Sequence, residues 1–286
     1  MADHPAFNSG RVAVVTGAAS GIGRAAARRF AALGMKVFLA DLPGEALDQA
    51  RAYVAEAAQG GKDDVRMKPT DVSRLEDVEA LKEAVYNAFG EVAVLMNNAG
   101  TAPGGGPWDN LERWERVLQV NLWGVIYGVQ VFTPAMLGQG TACAIVNTGS
   151  KQGITCPPGD TAYNVSKAGV KVMTESLAHS LRNEPQAQIT AHLLIPGSTF
   201  TGMTRGSQTE KPPGAWTPDQ VVDMLFEGMG RGDFYILCPD NDVTPAIDHR
   251  RILWAAGDIV ENRPALSRWH PAYKSAFEAF LKAGES

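Results

Sequence analysis

Tyr163 and Lys167 stand four residues apart in Tyr163-Asn164-Val165-Ser166-Lys167, a spacing that puts a phenol and an ammonium on one face of a helix. A free tyrosine has a pKa near ~10 and is a poor base at neutrality unless a nearby cation favours its phenolate. Lys167 is positioned to be that cation. Ser150 lies 13 residues before Tyr163, just beyond the apolar run 144–146. A hydroxyl past the carboxyl end of a buried strand faces the crevice where open α/β sheets hold ligands. Asn121 sits in a stretch, 117–126, that is apolar over most of its circumference, where a buried amide must find partners. It reads equally as a member of the same constellation and as a core amide satisfied by backbone.

A second set of residues suits a phosphate. Thr16-Gly17-Ala18-Ala19-Ser20-Gly21-Ile22-Gly23 follows an apolar run and opens a helical stretch. Glycines there permit a tight turn and close backbone approach, and the helix N-terminus offers unpaired N–H groups to a pyrophosphate. Asp41, 18 residues beyond Gly23, falls where a carboxylate accepts hydrogen bonds from the adenosine ribose. It would repel a 2′-phosphate, no Arg or Lys follows it at once, and Ser20 is neutral, so NAD is favoured over NADP. The alternative is that Asp41 caps the following helix.

The elements that must position these groups alternate along the chain. Short apolar runs lie at 12–15, 37–40, 65–68, 92–96, 144–146, 189–195 and 234–237, with helical patterns at 21–33, 46–58, 75–89, 114–137, 162–181 and 218–229. Most of the runs are continuous, as expected of strands buried on both faces. The alternation implies right-handed crossovers and an α/β, doubly wound (Rossmann-like) parallel sheet of about seven strands with helices on both faces. The expected division is a dinucleotide-binding and catalytic domain over 1–238, including a lid at 198–218, and a helical extension over 239–286. In that extension Thr244 and Pro245 predict a helix start and Gly257 its stop. Tyr273, Ala276, Phe277, Phe280 and Leu281 form a stripe that must be buried on the domain or on a neighbouring subunit.

Composition narrows the function further. With 31 acidic and 26 basic side chains the formal charge is -5, and no run of like charges suggests a nucleic-acid or membrane-surface partner. No segment has the unbroken apolar length of a membrane span, and no leader is recognisable, so a cytoplasmic protein is expected. Three cysteines, Cys143, Cys156 and Cys238, suit neither a disulfide framework nor a metal site.

Taken in order, these segments resemble the short-chain dehydrogenase/reductase family over residues 11–238. Residues 16–23 are similar to its TGxxxGxG cofactor turn, and Asp71-Val72 to the pair that meets adenine. Asn97-Asn98-Ala99-Gly100 is similar to its NNAG segment. Asn121, Ser150, Tyr163 and Lys167 fall on its catalytic tetrad, and Pro196-Gly197 with Thr201 on its PG motif and threonine. Thr199 stands where many members have valine, at a position whose backbone meets the carboxamide; Gly149 and Lys151 depart from the usual neighbours of the serine. Lys151 is expected to be a solvent-facing loop residue, the alternative being a cation that favours an anionic substrate.

The resemblance implies reversible hydride transfer between NAD and a secondary alcohol or ketone. Tyr163 would be the acid/base, Ser150 would hold the substrate oxygen, Lys167 would hold the ribose and tune Tyr163, and Asn121 would carry a water. It also implies a homodimer or homotetramer. The other readings are an NADPH-dependent carbonyl reductase and a non-catalytic nucleotide-binding scaffold. The expected pocket borders, 101–107, 151–160 and 200–216, hold Phe200, Met203 and Trp216 with few fixed charges besides Lys151, Asp160, Arg205, Glu210 and Lys211. That points to a mainly apolar small-molecule substrate.

Overall fold

Seven apolar runs pair edge to edge in a computed structural model that describes residues 4–204, 206 and 208–283. They are β1 (Val12–Thr16), β2 (Lys36–Asp41), β3 (Val65–Pro69), β4 (Val94–Asn97), β5 (Cys143–Thr148), β6 (Ile189–Ile195) and β7 (Tyr235–Leu237). The order is β3-β2-β1-β4-β5-β6-β7, and every pairing is parallel.

Successive side chains leave a strand on opposite faces, and here both faces are core. Ala13, Val15, Val37 and Leu39 pack under helices α1 (Gly21–Ala32), α2 (Glu45–Ala55) and α8 (Pro218–Arg231). Val12, Val14, Phe38 and Ala40 pack under α3 (Leu75–Phe89), α5 (Gly124–Gly138) and α7 (Thr161–Asn183). This is why the runs read as continuous rather than alternating.

The stretch expected as one helix over 114–137 is two. Helix α4 (Leu111–Leu118) passes through a π turn, Gln119–Trp123, into α5. Such turns widen the helix and are frequent at functional sites. Among the described residues only 111–138 is long and apolar enough to cross a membrane. In this fold α5 instead lays Val125, Val129, Phe132 and Met136 into the core.

The extension forms α9 (Pro245–Val260) and α10 (Lys274–Lys282). Thr244 caps α9 by accepting from the Ile247 amide at 3.3 Å, as its sequence predicts. Gly257 does not stop this helix, which runs on to Val260, where the Arg263 amide bonds back to the Asp258 carbonyl. The aromatic stripe is only partly buried: Phe277 is covered, Phe280 half-buried and Ala276 exposed. Its partner is Trp254 of α9, with ring centroids 5.3 Å from Phe277 and 5.2 Å from Phe280.

The N-terminal segment closes the end of the sheet away from the strands' carboxyl ends. Phe7 packs on Phe30 and Phe226. His4 Nδ1 accepts from the Ala6 amide at 3.2 Å, which leaves its Nε2–H to donate to Thr190 Oγ1 at 3.0 Å. Thr190 in turn meets His192 Nε2 at 2.8 Å, while His192 Nδ1 donates to the Asp233 carbonyl at 2.7 Å. Burial, and then the neighbouring His192, push the His4 pKa down to about 4; burial also lowers His192.

The unfolded chain therefore binds protons that the folded chain refuses between pH 6.5 and 4. Stability is held above that window and is lost as pH falls through it. The loss should be on the order of 2 kcal/mol once solvent screening is allowed for. Melting temperature measured from pH 7 to 4 should fall more steeply in the wild type than in His4→Phe; equal slopes would show that this pair does not govern the acid limb.

Candidate active site

At the carboxyl end of the sheet the strand order reverses between β1 and β4, and a cleft of about 600 Å³ opens there. Open α/β sheets bind ligands at such switch points. Thr16, the last residue of β1, bridges the two halves: its hydroxyl accepts from the amides of Asn98 (3.0 Å) and Ala99 (3.2 Å). The Asn98 side chain donates back to the Thr16 carbonyl at 3.1 Å. Of the candidate site residues, all but Gly23 and Asn121 line this one cleft. Those two lie directly behind it.

On the β1–β3 side the geometry suits a dinucleotide. Gly17 has φ +66°, and a Cβ there would lie 2.7 Å from Ala99 Cα, so both the turn and the close approach require glycine. A Cβ on Gly23 would lie 2.2 Å from the Gly17 carbonyl oxygen. Ser20 precedes α1 without capping it through its side chain, which leaves the first-turn N–H groups and the positive end of the helix dipole for phosphate. Asp41 does not cap α2, whose N-cap is Gly44. Its oxygens accept from the amides of Ala19 and Leu42, both at 2.8 Å, which fixes the carboxylate at the cleft wall. Asp71 Oδ1 takes the Ser73 amide (3.0 Å) and hydroxyl (2.6 Å) in a turn of its own, with Val72 beside it on the wall.

On the β4–β6 side the chemistry-bearing groups converge. Asp160 caps α7 by accepting from the Tyr163 amide at 3.2 Å, and the same carboxylate holds the Gly104 amide at 3.0 Å. The start of α7 is thus locked to the loop after β4, and Tyr163 with it. Burial raises the Tyr163 phenol above its ordinary pKa, the Ser150 hydroxyl opposes that by hydrogen bonding, and the Asp160 charge adds to it. Lys167 is buried; its ammonium donates to the Thr148 carbonyl at 2.8 Å and lies 5.7 Å from the Tyr163 ring centre. Burial brings its pKa down to about 8. Ser150 ends the β5 side of the wall, its Oγ accepting from the Gln152 amide at 3.2 Å.

Asn121 occupies the middle of the π turn and is fully buried. Its amide is spent on neighbours: Oδ1 accepts from the Thr101 amide at 2.7 Å, and Nδ2 donates to the Thr101 carbonyl (3.0 Å) and Ser166 Oγ (3.2 Å). It therefore holds the loop after β4 against α7. Across the cleft, Pro196, Gly197, Thr199 and Thr201 form the opposite wall. The ends of the 198–218 segment are joined by hydrogen bonds from Phe200 N to the Trp216 carbonyl and from Trp216 N to the Ser198 carbonyl, both 2.8 Å.

Several expectations change. Lys151 is not solvent-facing: its ammonium pairs with Asp248 at 2.5 Å and Asp240 at 3.4 Å. Trp216 packs into the core under α1 and α8 instead of lining the cleft, whereas Met203 does line it. Lys211 folds onto the Ala215 carbonyl at 2.7 Å. Arg205 lies outside the described residues. Sequence reasoning missed Val120 and Arg116 at the cleft and the bridging role of the Thr16 hydroxyl. It also missed the capping role of Asp160, although an aspartate three residues before Tyr163 is a helix-start signal.

A doubly wound sheet with a phosphate turn at one end of its crevice, and a Tyr-Lys-Ser group with a buried lysine at the other, defines a nicotinamide-nucleotide oxidoreductase. The chain belongs to the short-chain dehydrogenase family, whose profile matches residues 11–212. It is 33% identical over 271 residues to 1-deoxy-11-beta-hydroxypentalenate dehydrogenase of Streptomyces exfoliatus, covering 93% of this chain and 96% of that one. A short-chain dehydrogenase/reductase from Burkholderia phymatum, solved with NAD, shares 37% identity at a TM-score of 0.79, over 89% of this chain and 96% of that one. A metagenomic short-chain oxidoreductase solved with NADP shares 30% identity at a TM-score of 0.67, over 82% and 98%.

Proposed function

We propose that this protein is an NAD(H)-dependent dehydrogenase that interconverts a secondary alcohol and its ketone. The observation that carries the reading is that Ser150, Tyr163 and Lys167 share one cleft with Asp41. The nicotinamide, when bound, supplies or accepts the hydride. Ser150 donates a hydrogen bond to the substrate oxygen and stabilises its charge. Tyr163 gives a proton to that oxygen in reduction and takes one in oxidation. Lys167, held by the Thr148 carbonyl, favours the phenolate of Tyr163 and offers its remaining N–H groups to the ribose.

The preference for NAD rests on Asp41, fixed at the wall and followed by Leu42 and Pro43 rather than by a cation. An unmatched charge beside a 2′-phosphate costs about 1–3 kcal/mol, or roughly 5- to 150-fold in affinity. Fluorescence titration should find NADH bound tighter than NADPH by a factor in that range, and Asp41→Ala should narrow the gap. Equal affinities in the wild type would overturn the preference and favour the NADPH-dependent carbonyl reductase.

The substrate in this reading is a mainly apolar alcohol, supported by Val120 and Met203 at the cleft. The hydroxy compound named for the Streptomyces relative agrees with an alcohol of this class. A screen of cyclic and aromatic secondary alcohols, followed by NADH absorbance, tests it. We further propose a homodimer or homotetramer in the cytoplasm, assembled on the outer faces of α5 and α7, where Val165 and Val172 are exposed.

A further inference from the structure

The short helix α6 (Gln152–Thr155) follows Ser150 at once, and its position is set from two sides. On one side it packs on α7. Gly153 abuts the backbone at Lys167, where a Cβ would lie 2.5 Å from the Lys167 carbonyl carbon. On the other side it meets α9 of the C-terminal extension. Between α6 and α9 lies a cluster of charges: the side chains of Lys151, Asp240 and Asp248 are 16%, 7% and 6% exposed, and Arg251 and Arg268 line the same pocket as Lys151 and Asp248.

The cluster reaches both walls of the candidate active site. Asp240 Oδ2 accepts from the Ser198 amide at 3.2 Å and from the Lys151 ammonium at 3.4 Å. A side chain on Gly197 would lie 2.6 Å from Asp240 Oδ2 and 2.8 Å from Lys151 Nζ, so the charges back directly onto the Pro196-Gly197 turn. The Lys151 amide also donates to the Pro196 carbonyl at 3.3 Å. The residue after Ser150 is thereby tied to the turn across the cleft through both its backbone and its side chain.

We infer that the C-terminal extension is a working part of the active site: Asp248, acting through Lys151 and Asp240, fixes the separation of Ser150 from the Gly197-Ser198 wall. Lys151, Asp240 and Asp248 are positioning residues. Their importance for catalysis rests on the proposed role of Ser150 in holding the substrate oxygen, whereas their effect on the two segments does not. A buried ion pair that loses one partner leaves a charge uncompensated. Removing Asp248 leaves Lys151 with the more distant Asp240 alone; removing Lys151 leaves Asp240 without its ion-pair partner and Asp248 with Arg251 as its nearby positive charge.

The test compares Asp248→Asn, Lys151→Met and Lys151→Arg with the wild type in cofactor-free protein, by amide hydrogen exchange. Asp248→Asn and Lys151→Met should speed exchange about tenfold in peptides covering 149–156 and 196–200, with β1 and β4 unchanged. Lys151→Arg, which keeps the charge, should retain protection. Turnover should fall about 10- to 50-fold in the first two variants, and NADH affinity by less than turnover, because the adenosine end of the cleft is untouched.

Unchanged exchange in both segments, or acceleration spread evenly over the whole sheet, would reduce the cluster to a stability element and overturn the inference. If Asp248→Asn does not fold, the contrast between Lys151→Met and Lys151→Arg decides alone. A wild type that turns over no alcohol defeats the proposed function but leaves the exchange result readable. Loss of local protection without loss of turnover in an active enzyme defeats the positioning role.

Discussion

Tyr163→Phe should lower turnover by roughly 10²–10⁴ while leaving NADH affinity within about threefold. The substitution keeps the ring that packs at the start of α7 and deletes only the group that carries the proton. Nothing in the capping of that helix depends on the phenol, because Asp160 binds the Tyr163 backbone amide, so the variant should fold and melt like the wild type.

The pH profile supplies an independent check. Burial holds the Tyr163 pKa above its ordinary value, so near neutrality the residue is a phenol, ready to give its proton in reduction. Oxidation needs the phenolate, and its kcat/KM should climb as pH rises, while reduction stays level and then declines. Stopped-flow or steady-state rates in both directions would measure this. Near-wild-type turnover in Tyr163→Phe would exclude tyrosine as the acid/base.

Gly23→Ala should cost about 100-fold in NADH affinity, with a fall in melting temperature of about 5 °C. The added methyl would sit 2.2 Å from the Gly17 carbonyl oxygen and 2.6 Å from Asn98 Nδ2, and the first of these is backbone, so the turn itself must move. Overpacking of this kind costs about 1–3 kcal/mol, and in a chain of this size each kcal/mol lowers the melting temperature by about 2–4 °C. The larger effect is expected on binding, because the displaced segment is the one whose N–H groups would face the phosphates of a bound dinucleotide. Fluorescence titration and a thermal melt read the two effects separately. A variant that binds NADH normally would mean that this turn does not hold the nucleotide.

Much of this architecture is legible in the residues themselves. Continuous apolar runs announce strands buried on both faces, and the glycine spacing announces a phosphate turn because local sterics alone demand it. Tyr163, Lys167 and Ser150 are readable because helical periodicity and strand ends are local rules. What escapes is either an inserted residue or a contact between distant segments. Asn121 lies in an apolar stretch whose periodicity looks helical throughout, and nothing in it marks the π turn that aims the amide at Thr101. Lys151 reads as a loop lysine until the chain returns about 90 residues later with Asp240 and Asp248. Gly257 looks like a stop because glycine favours helix ends, yet α9 runs past it to Val260, where Arg263 folds back onto Asp258 through an ion pair at 3.0 Å.

The reversal of strand order between β1 and β4 divides the work of the cleft in two. Residues that would select the nucleotide come from the loops after β1, β2 and β3; those that would select and transform the alcohol come from the segments after β4, β5 and β6. Apart from the Thr16–Asn98 hinge the two groups share few side-chain contacts, and substitutions without shared partners have free energies that nearly add. Cofactor choice and substrate scope can therefore drift, or be engineered, as separable traits. A change at Asp41 sets no condition on what Met203 or the 198–218 segment is next allowed to become.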